Sequence, residues 1–500
     1  MITVTPSTDA AEAIHYARTS RTRAIEQLRT FVALPSVSAQ RNSIARCGAW
    51  LTDHLRQIGL SDAALIQTAG NPIVLATWRH APSRPTLLIY GHYDVQPPEP
   101  LSAWTSPPFK ASLRDGYIYG RGASDDKGQL FSHVKAIDAW LAACARLPCN
   151  IICLFEGEEE IGSPHLAAFL HEHRARLRAD AAVVSDTSMR SPNHPAITYS
   201  LRGLATFKLH VRTAPAELHS GAFGGAVPDA AIELSRILAS LQDPHGQITI
   251  PGFYDDVQTI TRRQRALMAV HGPTDTELLR TAGLTSASGE SGYSTYERTT
   301  IRPSLTVNAI TAGHQRARTK AVIPATATAT LSLRLVPHQH PDRIEPLLRD
   351  HVAGVAPPAV QANITAGPSS PPVDMPPEHP AIAAAASACR RVFGRDPALL
   401  RSGGTIKPIS DLQHTLQLPV IALGFGLHAD HWHAPNERFP IHRYAHAIDT
   451  AITFLDEFGH RAKHAKPRRP PISNHQHPST ANPNSEVQHH EHKQNRPGNA

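Results

Sequence analysis

Cysteine is scarce in this sequence, and long apolar runs are absent from it. The five cysteines among 500 residues are odd in number, which argues against a disulfide framework and favours reduced, buried thiols. The longest apolar runs fall short of the roughly 18 residues that a membrane span requires. Residues 1–21 also lack the apolar block of a secretory signal. We therefore expect a soluble cytoplasmic protein without a membrane partner.

The body of the chain also has little excess of basic charge. The formal net charge is +7, but residues 461–500 contain seven Lys or Arg against two Asp or Glu, which leaves +2 for the first 460 residues. Binding to a nucleic-acid backbone requires a concentrated basic surface. We therefore expect no nucleic-acid partner, and binding through the basic tail is kept only as a separate hypothesis.

Alternation of strands and helices predicts an α/β fold. Four short apolar runs have the composition of strands that are buried on both faces, namely residues 86–90, 151–155, 181–184 and 420–425. Helical patterns follow two of these runs, at residues 129–147 and 164–177. The pattern predicts a mostly parallel sheet with helices on both faces.

A different pattern begins near residue 199. Residues 206–212 and 327–335 alternate apolar and polar side chains, as half-buried strands do, and amphipathic helices are predicted at residues 228–241 and 342–352. Residues 251–302 form a long excursion from this second unit. The predicted organisation is a catalytic domain at residues 1–198 and 376–460, an inserted α/β lid or dimerisation domain with an antiparallel sheet at residues 199–375, and a disordered tail at residues 461–500.

Potential metal ligands follow the predicted strands, whose carboxyl ends are expected to meet at one edge of the sheet. His92 and Asp94 are two residues apart and so point to the same side of an extended chain, where Asp94 can accept a hydrogen bond from the imidazole. Four carboxylates crowd into residues 156–160, and such neighbours repel unless cations compensate them. Asp186 and His433 follow two further strands. This mixture of imidazoles and carboxylates suits a pair of zinc-like ions.

Six segments, in this order, resemble a family of di-zinc hydrolases that includes carnosinase-like dipeptidases, carboxypeptidase G, aminoacylase, acetylornithine deacetylase and succinyl-diaminopimelate desuccinylase. The segments are GHYDVQP (91–97), GRGASDDKG (120–128), FEGEEEIGS (155–163), ELHSGAFGG (217–225), TKAVIPATATATLSLRLVP (319–337) and HAPNERF (433–439). The long inserted domain and its LRLVP segment are most similar to the dipeptidase branch. The resemblance implies an enzyme that hydrolyses an amide bond with two divalent metal ions, zinc first, with manganese or cobalt as alternatives.

The resemblance also implies a set of metal ligands. His92 and Asp186 would bind one metal ion, and Glu160 and His433 would bind the other. Asp125 would bridge both ions. His428 and His431 lie nearby, but His433 is preferred because the family's Ala-Pro-Asn-Glu follows it.

Further residues match family positions around that centre. Asp94 would orient His92, and Glu159 would act as the general base that takes a proton from the attacking water and passes it to the leaving nitrogen. The bond between Asp125 and Asp126 corresponds to a cis peptide. His219 would reach the active site of the partner subunit and stabilise the oxyanion, which implies a homodimer.

Four residues match positions that hold the substrate in the family, namely Arg334, Gly403, Gly404 and Thr405. Arg334 corresponds to a ligand of the substrate carboxylate. Two departures affect this part of the predicted site: Lys407 precedes Pro408 in the loop, and the turn at residues 312–319 is poorer in glycine and more basic than in relatives.

The leading hypothesis is a homodimeric dipeptidase that cleaves dipeptides or short peptides with a free C-terminal carboxylate. The alternative is an N-acyl amino acid deacylase with the same metal centre, since the two substrates differ only beyond the reacting carbonyl. A third hypothesis is that the protein is not an enzyme but a binding or scaffold protein that has kept the fold.

Overall fold

The computed structural model describes residues 7–314 and 320–461. The predicted tail lies outside the described residues except for Arg461, and so do residues 315–319 of the basic turn. The helices are α1 Thr8–Thr19, α2 Arg21–Ala33, α3 Arg41–Gln57, α4 Lys127–Cys144, α5 Leu166–Glu172, α6 Ser220–Phe223, α7 Ala230–Ser240, α8 Arg262–His271, α9 Asp275–Ala282, α10 Thr295–Thr300, α11 Pro341–Val355, α12 Pro380–Phe393, α13 Lys407–Leu416 and α14 Ile441–Arg461. The strands are β1 Ala64–Ile66, β2 Ile73–Trp78, β3 Thr86–His92, β4 Ser112–Arg114, β5 Tyr117–Tyr119, β6 Asn150–Glu156, β7 Ala181–Val184, β8 Ala196–Leu201, β9 Gly203–Arg212, β10 Leu218–His219, β11 Ser304–Ala312, β12 Val322–Ile323, β13 Thr326–Leu335, β14 Gln361–Ser370, β15 Val373–Asp374, β16 Ala398–Ser402, β17 Val420–Ala422 and β18 Arg438–Pro440.

The large sheet has the strand order β1-β2-β6-β3-β7-β17-β8-β15, and β16 pairs with β8. Its central strands β6, β3, β7 and β17 are parallel to their neighbours within this group. Antiparallel pairs extend the sheet on both sides, between β2 and β6 and between β8 and β17. The predicted α/β class with a largely parallel sheet is confirmed.

Helices cover both faces of this sheet, which explains why its strands are continuously apolar. Along β3, Leu87 and Ile89 pack into one core with α4, α12 and α14. Leu88 and Tyr90 point the other way, into a core with α5 and α13. Successive residues of a strand alternate between faces, so a strand that is covered on both sides needs an apolar residue at every position. No helix among the described residues is long and apolar enough to cross a membrane.

A second sheet has the order β11-β13-β9-β14 and is antiparallel throughout. Alternate residues of β9 and β13 are buried, and they pack against α7 and α11 in a separate core. The predicted strands 206–212 and 327–335 lie within β9 and β13. The alternating pattern therefore reflects one covered face and one more open face.

The chain changes from one sheet to the other at a few defined residues. Arg202 alone separates β8 of the large sheet from β9 of the small sheet, and residues 371–372 separate β14 from β15. The predicted boundary after residue 198 falls inside β8, so these strand ends lie close to, but not at, the predicted division. The division into two domains stays a prediction.

The predicted excursion, residues 251–302, contains the three helices α8, α9 and α10. Each begins with a capping box, in which an N-cap Thr or Ser and a Gln or Glu three residues later bind each other's backbone N–H groups. The excursion packs on the large sheet at β16, because the Tyr296 hydroxyl donates to the carbonyl oxygen of Arg401 at 2.9 Å and accepts from its N–H at 2.8 Å. The excursion was predicted to extend from the inserted domain. In the structure it also contacts the large sheet.

The predicted strand at residues 420–425 is shorter in the structure and ends at Ala422. Beyond it the chain turns close to the segment after β7, since a Cβ on Gly424 would lie 1.8 Å from the carbonyl oxygen of Thr187. The apolar run continues because Leu423 and Phe425 are buried in the core. Burial, and not strand pairing, accounts for the last residues of that run.

The second core gives a test of stability. Leu331 on β13 is fully buried, so we expect Leu331→Ala to lower the free energy of unfolding by about 2–5 kcal/mol. Leu284 is 59% exposed, and Leu284→Ala should change it by less than about 0.5 kcal/mol. Urea unfolding followed by circular dichroism measures both, and equal effects of the two substitutions would contradict the assignment of this core.

Candidate metal centre

The ends of the central strands bring most of the predicted ligands together. His92 is the last residue of β3, and its strand partner is Glu156 at the end of β6. Glu159 and Glu160 lie in a short 3-10 turn just after β6, and Asp186 follows β7. Asp125 lies two residues before the start of α4, and His433 lies in the loop before β18.

Asp125 lies between the two histidines. Its Oδ1 is 3.1 Å from Nε2 of His92, and its Oδ2 is 3.0 Å from Nε2 of His433. The same nitrogen of His92 is 3.9 Å from Asp186 Oδ2, and that of His433 is 3.1 Å from Glu160 Oε2. Each oxygen of Asp125 therefore faces a different histidine.

The donor atoms fit two divalent cations. One cluster contains His92, Glu159 and Asp186, and the other contains Asp125, Glu160 and His433, with the candidate donor atoms of each cluster within 4.8 Å of one another. Ligands at about 2.0–2.1 Å from a tetrahedral zinc ion lie about 3.3 Å apart. Three of the nitrogen-to-oxygen distances given above, at 3.0–3.1 Å, are close to this value, and the distance from His92 to Asp186 is longer, at 3.9 Å. Imidazole and carboxylate together suit zinc, manganese or cobalt.

The electrostatics of the centre indicate an excess of negative charge. Hydrogen bonds to Asp125 and Glu160 raise the pKa of His433 to about 10. Burial and the charge of Asp125 raise the pKa of Asp186 well above its ordinary value. Burial raises the pKa of Glu159 to about 7; His92 opposes this shift, and the charges of Glu160 and Asp94 add to it. The group therefore holds protons that divalent cations would displace.

Asp94 supports the centre in two ways. Its side chain is fully buried, with Oδ1 3.4 Å from Nδ1 of His92, although the Asp94 carbonyl oxygen is closer to that nitrogen, at 3.1 Å. Its carboxylate also accepts hydrogen bonds from the backbone N–H groups of Glu159 at 3.2 Å and Glu160 at 3.1 Å, and from the Ser38 hydroxyl at 2.7 Å. Asp94 thus fixes the imidazole and the glutamate turn together.

Glu437 has a structural role that was not predicted, although it lies in the HAPNERF segment. It is fully buried, and one carboxylate oxygen accepts from the N–H groups of Ser124 at 2.9 Å and Asp125 at 3.0 Å. The other oxygen accepts from the N–H of Gly122 at 2.9 Å and from Arg121 Nη1 at 3.0 Å. Glu437 therefore holds the loop that presents Asp125.

Gln96 is a second contact that was missed, in the GHYDVQP segment. Its side-chain amide donates to the carboxylate of Glu160 at 2.9 Å. Glu437 and Gln96 both lie within motifs that resemble the family, HAPNERF and GHYDVQP. Their position in these motifs is the only indication in the sequence that they matter. Their hydrogen-bond partners lie far away in the sequence, so sequence reasoning gave them no role.

The predicted substrate residues form a separate group. Arg334 Nη1 donates to the Thr405 hydroxyl at 2.8 Å, which in turn donates to the carbonyl oxygen of Arg202 at 2.6 Å. Of this group, Gly403 lines the same cavity as Asp186. Gly404 is exposed in the same loop.

His219 does not join the centre within one chain. It is exposed on β10, and no hydrogen bond or ion pair between the described residues connects it to the proposed ligands. Lys407, the departure in the substrate loop, forms an ion pair with Asp411 one turn along α13. His428 and His431 are exposed beside the centre, and His433 is the histidine of this segment that reaches Asp125.

His433 and Asp125–Asp126 have unusual backbone geometry. His433 has a φ of 56°, and Asn436 in the same loop has a φ of 61°. Non-glycine residues in this region are held there by surrounding structure and are frequent at functional sites. The peptide bond between Asp125 and Asp126 is cis, as the resemblance implies.

Comparison with known proteins places these features in a wider group. A model of peptidase family M20/M25/M40 matches residues 88–457. The chain is 29% identical over 451 residues to Cys-Gly metallodipeptidase dug1 of Schizosaccharomyces pombe, covering 87% of this chain and 95% of that protein. It is 30% identical over 468 residues to Beta-Ala-His dipeptidase of Homo sapiens, covering 87% and 89%. Among solved structures, an M20 family metallo-carboxypeptidase from Sulfolobus solfataricus matches with a TM-score of 0.78 and 30% identity, covering 87% of this chain and 99% of that chain.

The loop held by Glu437 gives a test of metal binding. Glu437→Gln replaces one acceptor oxygen by an amide group that faces N–H donors, so we expect zinc affinity to fall by about 10–100-fold, as for other groups that position metal ligands. Zinc titration against a competing chelator measures this, without reference to activity.

The matched control is Glu378→Gln, because Glu378 is exposed and outside the centre. It should bind zinc as the original chain does. Equal zinc affinity of both variants would show that Glu437 does not position Asp125.

Proposed function

The chain belongs to peptidase family M20/M25/M40, and on this premise we propose that it is a two-metal dipeptidase that cleaves dipeptides or short peptides with a free C-terminal carboxylate. The predicted resemblance to the dipeptidase branch is confirmed by relatives that are named dipeptidases. The observation that carries the proposal is Asp125, whose two oxygens face two separate donor clusters.

His92 and Asp186 would hold one ion, Glu160 and His433 the other, and Asp125 both. Members of a metallopeptidase family use divalent cations, and we propose zinc because the donors are imidazoles and carboxylates at distances that suit a tetrahedral ion. When bound, the ions supply Lewis acidity, which polarises the scissile carbonyl and lowers the pKa of water.

Glu159 is the proposed general base. It lies beside His92 and Asp186, and its backbone is held by Asp94. A carboxylate at this place can both take up and release a proton. Glu159 takes the proton of the attacking water and delivers it to the leaving nitrogen.

The C-terminal carboxylate of the substrate would bind at Arg334 and the loop at residues 403–405. A guanidinium can donate two parallel hydrogen bonds to a carboxylate, and the described contacts of Arg334 include no acidic side chain that would compete. The Arg334 side chain is already oriented by the Thr405 hydroxyl. Arg202 holds the loop at residues 403–405, because its Nε donates to the carbonyl oxygen of Gly403 at 3.1 Å.

We further propose a homodimer in which His219 acts at the active site of the second copy. His219 is exposed in its own chain, which leaves its imidazole available. The edge strand β11 exposes Val307 and Ile310, two apolar side chains that a second copy would cover. The five unpaired cysteines support a reducing, cytoplasmic location for this enzyme.

A hydrolysis screen tests the proposed activity. The full chain, loaded in turn with zinc, manganese and cobalt, should cleave dipeptides and lose activity when a chelator removes the metal. Blocking the substrate carboxylate as an amide should lower kcat/KM by about tenfold or more, because a hydrogen-bonded charge pair with Arg334 is lost. If no dipeptide in the screen is cleaved, the proposal is wrong. Faster cleavage of N-acetyl or N-succinyl amino acids than of dipeptides would favour the deacylase.

The role of Glu159 gives a second test. Glu159→Gln keeps the size of the side chain but cannot take up a proton, so we expect kcat to fall by about 10²–10⁴-fold with bound metal unchanged. Elemental analysis of the purified variant measures the metal. Glu172→Gln, at a residue whose side chain is 78% exposed, is the control, and full activity of the Glu159 variant would exclude the assigned role.

A further inference from the structure

A cavity of about 500 Å³ opens beside Asp186 and extends towards the loop at residues 403–405. One wall belongs to the large sheet and its loops, including Ser188, Leu400 and Ile406. The opposite wall belongs to the excursion, residues 251–302, including Leu278 and Thr299. A volume of this size is typical of a site for a small molecule.

The cavity offers no unpaired charge to a side chain inside it. Its charged lining residues, among those described, are Asp186, which belongs to the metal centre, and Arg401. Arg401 is already paired, because its Nη1 is 3.2 Å from Asp374 and its Nε donates to the Tyr199 hydroxyl at 2.9 Å. The rest of the lining is apolar or carries hydroxyl groups. Burial of a charged group against this lining, away from water, is unfavourable without a partner.

The wall from the excursion is fixed to the catalytic unit. Tyr296 is bound to the backbone of Arg401 through both its donor and its acceptor. Arg190, after β7, forms an ion pair with Glu277 at 2.8 Å. The wall also touches the substrate loop, because a Cβ on Gly403 would lie 2.2 Å from the carbonyl oxygen of Thr299.

We propose that the excursion is the specificity element of the enzyme, and that its helices complete a pocket that receives an uncharged side chain of the dipeptide. The inference rests on the proposed dipeptidase function, because a substrate held between Asp186 and the 403–405 loop lies along this cavity. Aliphatic and aromatic side chains such as Leu and Phe fit its lining, whereas Glu and Lys would lose hydration without gaining a partner.

The first measurement uses two dipeptide series, X-Gly and Gly-X, with X as Leu, Phe, Ser, Glu or Lys. The metal-loaded full chain should cleave the Leu and Phe substrates with a kcat/KM about tenfold or more above the Glu and Lys substrates in one of the series. Equal rates for charged and uncharged side chains in both series would overturn the inference.

The second measurement places a charge in the wall. Thr299 is an exposed residue next to the end of α10, and its hydroxyl donates to backbone carbonyl oxygens of its own helix. Thr299→Lys should raise the ratio of kcat/KM for Glu over Lys substrates by about tenfold, and Thr299→Glu should lower it similarly, as expected of a partly screened ion pair.

Thr281→Lys is the matched control, because Thr281 is also exposed, next to the end of α9, bound to a carbonyl of its own helix, and outside the cavity. It should leave the ratio unchanged. If both Thr299 variants match this control while dipeptides are still cleaved, the inference fails and the proposed function stands. If the original chain cleaves no dipeptide, the proposed function fails and the inference with it.

Discussion

Repulsion among carboxylates at the ends of parallel strands is the constraint on which this site depends. The strands β3, β6 and β7 end side by side, and acidic residues follow each of them. The sheet is covered on both faces, so its register is fixed by two cores and the acids cannot separate without disrupting it. His92 and His433 supply the only imidazoles among the described residues of the two donor clusters, which is too little positive charge for the carboxylates present. Bound cations would therefore stabilise the carboxylates that the fold brings together.

The acidic residues around the centre fall into two kinds according to what their oxygens contact. Asp94 and Glu437 are fully buried, but they accept hydrogen bonds from backbone N–H groups, and those donors satisfy them without any ion. The oxygens of Asp125, Glu160 and Asp186 instead face one another and the imidazoles. This difference separates residues that hold loops from residues that would hold metal. The hydrogen bonds of the first kind also hold distant segments together, as when Glu437 binds the N–H groups of Ser124 and Asp125.

Sequence reasoning predicted the parts of the fold in which burial leaves a periodic signal. Continuous apolar runs predicted β3, β6 and β7, and alternation predicted β9 and β13. Strand β8 was missed because its sequence, AITYSL, mixes polar residues into a buried strand, and the N-terminal helices α1 to α3 were not predicted. Each of the capping boxes of α8, α9 and α10 is a Thr or Ser followed three residues later by Gln or Glu, a pattern that marks a helix start in the sequence. Glu437 gave no signal of its role, since its partners depend on tertiary structure alone.

The same distinction explains why the reaction is easier to predict than the substrate. Most of the proposed ligands occur in short motifs, and His92, Glu160 and Asp125 lie at a strand end or just before a helix, positions that the fold places at one edge of the sheet. The cavity beside them depends on contacts that no motif records, such as the bond between Tyr296 and the backbone of Arg401. Arg202 connects these parts physically: its Nη1 donates to the carbonyl oxygen of Arg302, at the end of the excursion, while its Nε holds Gly403. One guanidinium, at the point where the chain passes between the two sheets, therefore ties the excursion to the substrate loop, so a change in the excursion can alter substrate choice while the chemistry at Asp125 stays the same.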